Sequence, residues 1–119
     1  MPHKKGTILK PSGYKDHLFV ILTNECPEKN HLLVNFSSIH ENVYHDDACV
    51  VNTEEHPFIK HPSYIEYRKA ETVKSSHLIK CGFTQKEDVS EELFKRICGG
   101  LLLSIHTPKR IKKYFEQNR

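Results

Sequence analysis

A chain of 119 residues is long enough for one domain with a real core and too short for two. With 37% hydrophobic and 28% charged residues it reads as an ordinary globular chain, and no apolar run is long enough to span a bilayer. The net charge of +3 is uneven, because residues 107–119 carry Lys109, Arg110, Lys112, Lys113 and Arg119 against Glu116, which leaves the rest slightly acidic.

Such a basic end can meet nucleic acid or an acidic partner, although the solvated face of a terminal helix has the same composition. No apolar segment of the kind a secretion signal needs follows Met1-Pro2-His3-Lys4-Lys5-Gly6, so a cytoplasmic location is expected. Cys26, Cys49, Cys81 and Cys98 are widely spaced and form no Cys-x-x-Cys pair. That fits neither a zinc ribbon nor a thioredoxin-type motif, and in a reducing compartment no disulfide is expected.

Residues 7–10 predict a short strand ended by the turn signal Pro11-Ser12-Gly13. Residues 17–23 are almost unbroken apolar, the composition of a strand buried on both faces, and 24–30 predict a loop around Pro27. A third strand is expected over 31–39, with Leu32, Val34 and Phe36 on one face and Leu33, Asn35 and Ser37 on the other. After a polar loop at 40–47, residues 48–51 predict a short buried strand. Residues 63–73 predict another, with Ser63, Ile65 and Tyr67 on one face, and 76–80 a last one.

Beyond Gly82 the period lengthens. Asp88 to Glu91 has the acidic first turn of a helix, and Val89, Leu93, Ile97, Leu101 and Ile105 form one apolar stripe over about 89–104. Gly99-Gly100 inside it costs roughly 1 kcal/mol per glycine relative to alanine and marks a kink or a close backbone contact. Thr107-Pro108 predicts the cap and first-turn proline of a second helix whose apolar face is Ile111, Tyr114 and Phe115. Six short strands followed by two helices predict a single α+β domain over 1–119, a strongly curved antiparallel sheet or small barrel packed by C-terminal helices.

The chemistry concentrates at residues 55–67, which hold His56, Lys60, His61, Ser63, Tyr64 and Tyr67. Each histidine precedes a proline, which biases it toward extended backbone. Acid–base groups on a stiffened, irregular segment suit phosphodiester cleavage or anion binding. Their five-residue offset would point the two imidazoles opposite ways in a regular strand, so a shared site requires a turn, for which Pro57 is the local cause. The competing readings are solvated or capped imidazoles, core or surface tyrosines, and, at Ser38, a strand-end hydroxyl serving local backbone. Asp46 and Asp47 with His45 and His40 lack the spacing of a defined metal site, and no metal or cofactor is expected.

Gly6-Thr7-Ile8-Leu9, the Pro11-Ser12-Gly13 turn, the buried strand Leu18-Phe19-Val20-Ile21-Leu22-Thr23-Asn24 and Val34-Asn35-Phe36-Ser37-Ser38 resemble the PemK/MazF-like toxins of toxin–antitoxin systems, over roughly residues 5–80. The resemblance implies an SH3-like β-barrel at 5–80 followed by a helical part at 88–117. It also implies a homodimer, a cognate antitoxin as partner, and metal-independent endoribonuclease activity on single-stranded RNA. Ser38 matches the family's polar pair at a strand end. Where the family commonly carries an arginine, this chain has Asp16-His17, which leaves Lys15 and His17 to do its work. The 55–67 stretch lies outside the family's usual pattern.

Metal-free cleavage of RNA needs a base for the 2′-hydroxyl, positive charge at the phosphate and an acid for the leaving 5′-oxygen. On this reading His56 and His61 are the acid–base pair, and Lys60 and Ser38 complete the catalytic set. Lys15, His17, Ser37, Ser63 and Tyr67 hold the substrate. The alternative is a non-catalytic SH3-like module that binds a protein partner or nucleic acid.

Overall fold

The computed structural model describes residues 2–12 and 15–119, so the expected Pro11-Ser12-Gly13 turn lies partly outside the described residues. Among the described residues there are seven strands: β1 (Thr7–Ser12), β2 (Lys15–Ile21), β3 (Asn30–Ser38), β4 (Val50–Val51), β5 (Ser63–Ile65), β6 (Glu71–Lys74) and β7 (Thr84–Lys86). Three helices accompany them: α1 (Ser75–Cys81), α2 (Glu91–Leu103) and α3 (Lys109–Asn118). All the strand pairs are antiparallel, in the order β4-β5-β3-β2-β1-β7, with β6 also on β3. β4 and β7 end that path without meeting, so the sheet is open. The class is α+β as expected.

β3 organises the sheet. One edge pairs with β2, and the other pairs first with β6 through residues 30–33 and then with β5 through residues 36–38. Its alternation follows the sequence: Leu32, Val34 and Phe36 enter the larger core with α2 and α3, while Leu33 joins Ile8, Phe19, Ile21, Val73 and Leu78 on the opposite face.

Residues 63–73 are not the single strand expected. The chain leaves β3 after Ile65, makes a 3₁₀ turn at Tyr67–Lys69, and returns as β6. This excursion lowers Tyr67 beneath α2, where it is fully buried and its hydroxyl donates to the Ile97 carbonyl at 2.6 Å. Burial pushes that hydroxyl far above the ordinary tyrosine range. Gly100 lies directly against it, since a Cβ there would overlap the Tyr67 hydroxyl, whereas Gly99 faces open space. The close-contact reading of the glycine pair therefore applies to Gly100 alone.

Residues 76–80 form most of helix α1, not a strand. Only Leu78 of that helix is buried, and a segment with one inward side chain shows no period that separates helix from strand. Gly82, with φ of 80°, ends it by donating to the Leu78 carbonyl. β7 pairs with β1 through the backbone and carries the polar side chains of Thr84, Gln85 and Lys86, so no apolar pattern announces it.

α2 starts from Ser90, whose hydroxyl accepts from the Leu93 N–H at 3.1 Å. Its stripe of Val89, Leu93, Ile97 and Leu101 is buried as expected, but Ile105 is 89% exposed because the helix stops at Leu103. At that stop the Ser104 hydroxyl donates to the Asp46 carboxylate. Pro108, not Thr107, is the residue that opens α3, and the Thr107 hydroxyl is buried without a hydrogen-bond partner. None of the helices among the described residues is long and apolar enough to cross a membrane.

Candidate active site

The site arises where two strands part. β2 stays paired to β1 as far as Ser12–Lys15, but its ladder with β3 covers residues 19–21 only. β3 meanwhile continues with β5 to Ser38–Ser63, and the Ile39 N–H extends that pairing to the Pro62 carbonyl at 2.9 Å. Between the diverging strands opens a groove of about 450 Å³, floored by the buried side chains of Leu18, Phe36 and Ile59.

One wall is the start of β2, with Lys15, Asp16 and His17. The other is the end of β3, with Ser37 and Ser38. The 57–62 loop supplies Phe58, Lys60 and His61, all three exposed. His40, considered in the sequence only for metal binding, lines the groove as well, because it lies just past the strand end that carries Ser38. Ser63 also lines it, but its hydroxyl donates to the His61 carbonyl at 2.8 Å and so fixes the loop.

Two of the expected site residues are elsewhere. Tyr67 is in the core beneath α2 and does not reach the groove. His56 is 2% exposed and occupied at both ring nitrogens. Its Nδ1 accepts from the Phe58 N–H at 3.1 Å, which requires a lone pair there and places the proton on Nε2. That Nε2–H donates to the Glu87 carbonyl at 2.6 Å, beside the Thr7 hydroxyl, which donates to the same carbonyl at 2.7 Å. The expected turn does exist, closed by the Ile59 N–H to the His56 carbonyl at 3.0 Å, yet it leaves His56 inward and His61 outward. His56 thus clips the loop to the segment just after β7.

A second clip lies one residue earlier. Burial pushes the Glu55 carboxyl up, but hydrogen bonds from Arg96 and the Asn52 N–H outweigh it and hold Glu55 below the usual carboxylate range. The Arg96 guanidinium also donates to the Val50 carbonyl, so α2 grips both β4 and the loop.

His17 and Ser37 belong to two grooves. The second, of about 630 Å³, runs over Phe19 and Asn35 and is bordered by Arg68, Lys69 and Arg110 with Glu66 and Glu71. Arg110 comes from the basic C-terminal segment, and Lys10 sits 4.4 Å above the Phe19 ring. Most of these cations are paired within the groove, Arg68 and Lys69 with Glu66 and Lys10 with Glu71. Among the described residues no three His, Cys, Asp or Glu side chains cluster as a metal site requires, and Asp46 is spent on Ser104 and the Ala48 N–H.

No family model and no curated protein matches this sequence. A solved structure does: an endoribonuclease in complex with its cognate antitoxin, from a mycobacterial species, with a TM-score of 0.63. This chain shares that fold. Sequence identity is 13%, and the match covers 91% of this chain and 98% of the other. The likeness is therefore one of architecture, and at that coverage it extends beyond the 5–80 segment that carries the sequence resemblance.

Proposed function

We propose that this protein is a metal-independent endoribonuclease of the PemK/MazF-like kind, cutting single-stranded RNA and held in check by a cognate antitoxin. The supporting observation is the convergence of His17 and His61 with Lys15, Lys60 and Ser38 on one groove. One imidazole takes the proton of a ribose 2′-hydroxyl as its oxygen attacks the adjacent phosphorus, and the other gives a proton to the departing 5′-oxygen. A 2′,3′-cyclic phosphate and a 5′-hydroxyl result, with no metal and no net proton consumed. Lys60 and Lys15 balance the charge that builds on the phosphate, and Ser38 with Ser37 orients it by hydrogen bonding.

His56 supports this chemistry through the loop it anchors, so the acid–base pair is His61 with His17. His17 also stands where the family's arginine is expected. The second groove, where Arg110 joins Arg68 and Lys69, carries the strand onward from the cleaved phosphate. In this reading the curved sheet is an opened SH3-like barrel, the active form is a homodimer, and the protein works in the cytoplasm.

One observation favours a second reading. Asp16 lines the groove beside His17, and a carboxylate there opposes a phosphate where the family would supply an arginine. A binding module without cleavage would tolerate it. Incubation of the purified protein with single-stranded RNA in excess chelator separates the two. Cleavage that disappears in a folded His61→Ala variant supports the enzyme, and intact RNA at high protein concentration rejects it in favour of the module.

A further inference from the structure

The loop between β3 and β4 brings two aromatic rings to the turn between α2 and α3. Tyr44 is 74% exposed and adds little to the core, yet its hydroxyl is hydrogen-bonded to His106 Nε2 at 2.7 Å, with the two rings edge-on at 5.7 Å. Beside them His45 packs against Tyr64 of β5 with ring centres 5.4 Å apart. The four rings border a small pocket of about 110 Å³ that Glu66 and Arg68 also line. Holding an exposed tyrosine in one place costs conformational freedom without burying it, and a rigid aromatic wall of this kind suits a flat ring arriving from solution.

The polar groups narrow the ligand. Asp46 lines the same pocket, but its carboxylate is engaged by Ser104 and the Ala48 N–H. Glu66 has a side chain only 13% exposed; it accepts from Asn35 and Arg68 at 3.3 Å each and pairs with Lys69 at 3.7 Å, and the roughly four lone-pair sites of a carboxylate leave room for one more donor. A carboxylate is acceptor-only, and uracil offers it a single N3–H flanked by two repelling carbonyl oxygens, so Glu66 favours a base with an exocyclic amine. Glu66 and Arg68 also border the second groove, which shares His17 and Ser37 with the proposed cleavage groove, so the pocket connects to the cleavage groove through the second one.

We infer that this pocket is a nucleobase subsite. One unpaired base stacks among Tyr44, His45, Tyr64 and His106, Glu66 accepts from its exocyclic amine, and Arg68 holds the neighbouring phosphate. That the base belongs to the strand being cut rests on the ribonuclease reading; the capture of a base does not.

Two measurements on the full chain test it. AMP, CMP, GMP and UMP are titrated separately by amide NMR, and cleavage positions are mapped on single-stranded RNA, for the wild type and for Tyr44→Ala and Tyr64→Ala variants with retained circular dichroism. The amine-bearing monophosphates are expected to shift residues 44–45, 64–68 and 106, more than UMP does, and the shifts to vanish in Tyr64→Ala. The preference for one base near the cut is expected to fall by about tenfold. Monophosphate binding at the pocket with uncut RNA would keep the subsite and reject the ribonuclease. RNA cut with unchanged base preference by both variants, with no monophosphate shift at the pocket, would overturn the subsite and leave the ribonuclease standing. UMP binding equal to the others would overturn the role given to Glu66.

Discussion

His56 and His61 share a loop, a following proline and a residue type, and the fold uses them in opposite ways. His56 turns inward, where a backbone N–H and a backbone carbonyl occupy its two nitrogens. His61 turns outward into the groove between β2 and the end of β3, beside Lys60. Ile59 between them is 6% exposed and pins the middle of the loop to the core. A buried imidazole with both nitrogens spent cannot exchange a proton with substrate, whereas an exposed one beside lysines and hydroxyls can. The lesson is that one histidine builds the loop and the other is placed by it.

That contrast can be broken most sharply at His61. In His61→Ala, kcat/KM on single-stranded RNA should fall by about 10²- to 10⁴-fold with an unchanged melting temperature. The pH–rate profile of the residual activity should lose one of its limbs. An active His61→Ala enzyme would mean that His40, which lines the same groove, does the work assigned to it.

His56→Ala should behave in the reverse manner. Removing the ring opens a cavity, leaves the Phe58 N–H unpaired and leaves the Glu87 carbonyl with the Thr7 hydroxyl alone, a loss of about 2–4 kcal/mol that calorimetry would register as a fall of roughly 10 °C or more. Activity lost at 37 °C and recovered on cooling would agree with a structural clip. Full stability with abolished cleavage would reverse the assignment.

Lys60→Ala should act on the substrate alone. Losing one cation at the phosphate predicts a rise in KM of about five- to tenfold and a shallower dependence of binding on salt, with the fold untouched. Titrating RNA affinity at several ionic strengths measures both effects.

The smallest effect is expected at Glu55. Its folded-state value is depressed, so its contribution is present above the ordinary carboxylate value and fades as pH falls through the lowered one. Arg96 is partly exposed, which limits the pair to about 0.5 kcal/mol. Denaturant melts from pH 7 downward should show Glu55→Gln less stable than wild type at neutral pH, with the gap closing in acid. A gap constant with pH would assign the effect to packing.

Much of the fold was legible because burial leaves a period. The alternation of Leu32, Val34 and Phe36 against Leu33, and the four-residue stripe through Leu93, Ile97 and Leu101, each match a regular face of an element. The errors fall where no period exists. α1 buries one side chain, β7 is held through its backbone, and the break between β5 and β6 follows from β3 changing partners. Of the site, Lys15, His17, Ser37, Ser38, Lys60, His61 and Ser63 do line one groove, drawn from three distant parts of the chain. The inward turn of His56 was hidden, since its partners Glu87 and Thr7 are 31 and 49 residues away.

The sequence by itself determined which segments bury and with what period, and it placed acid–base and cationic side chains in the 55–67 stretch, because composition and local spacing carry that information. Which histidine faces the groove was decided only by tertiary structure. The Glu87 carbonyl, just past β7, claims the His56 proton, and the parting of β2 from β3 opens the space that His61 lines.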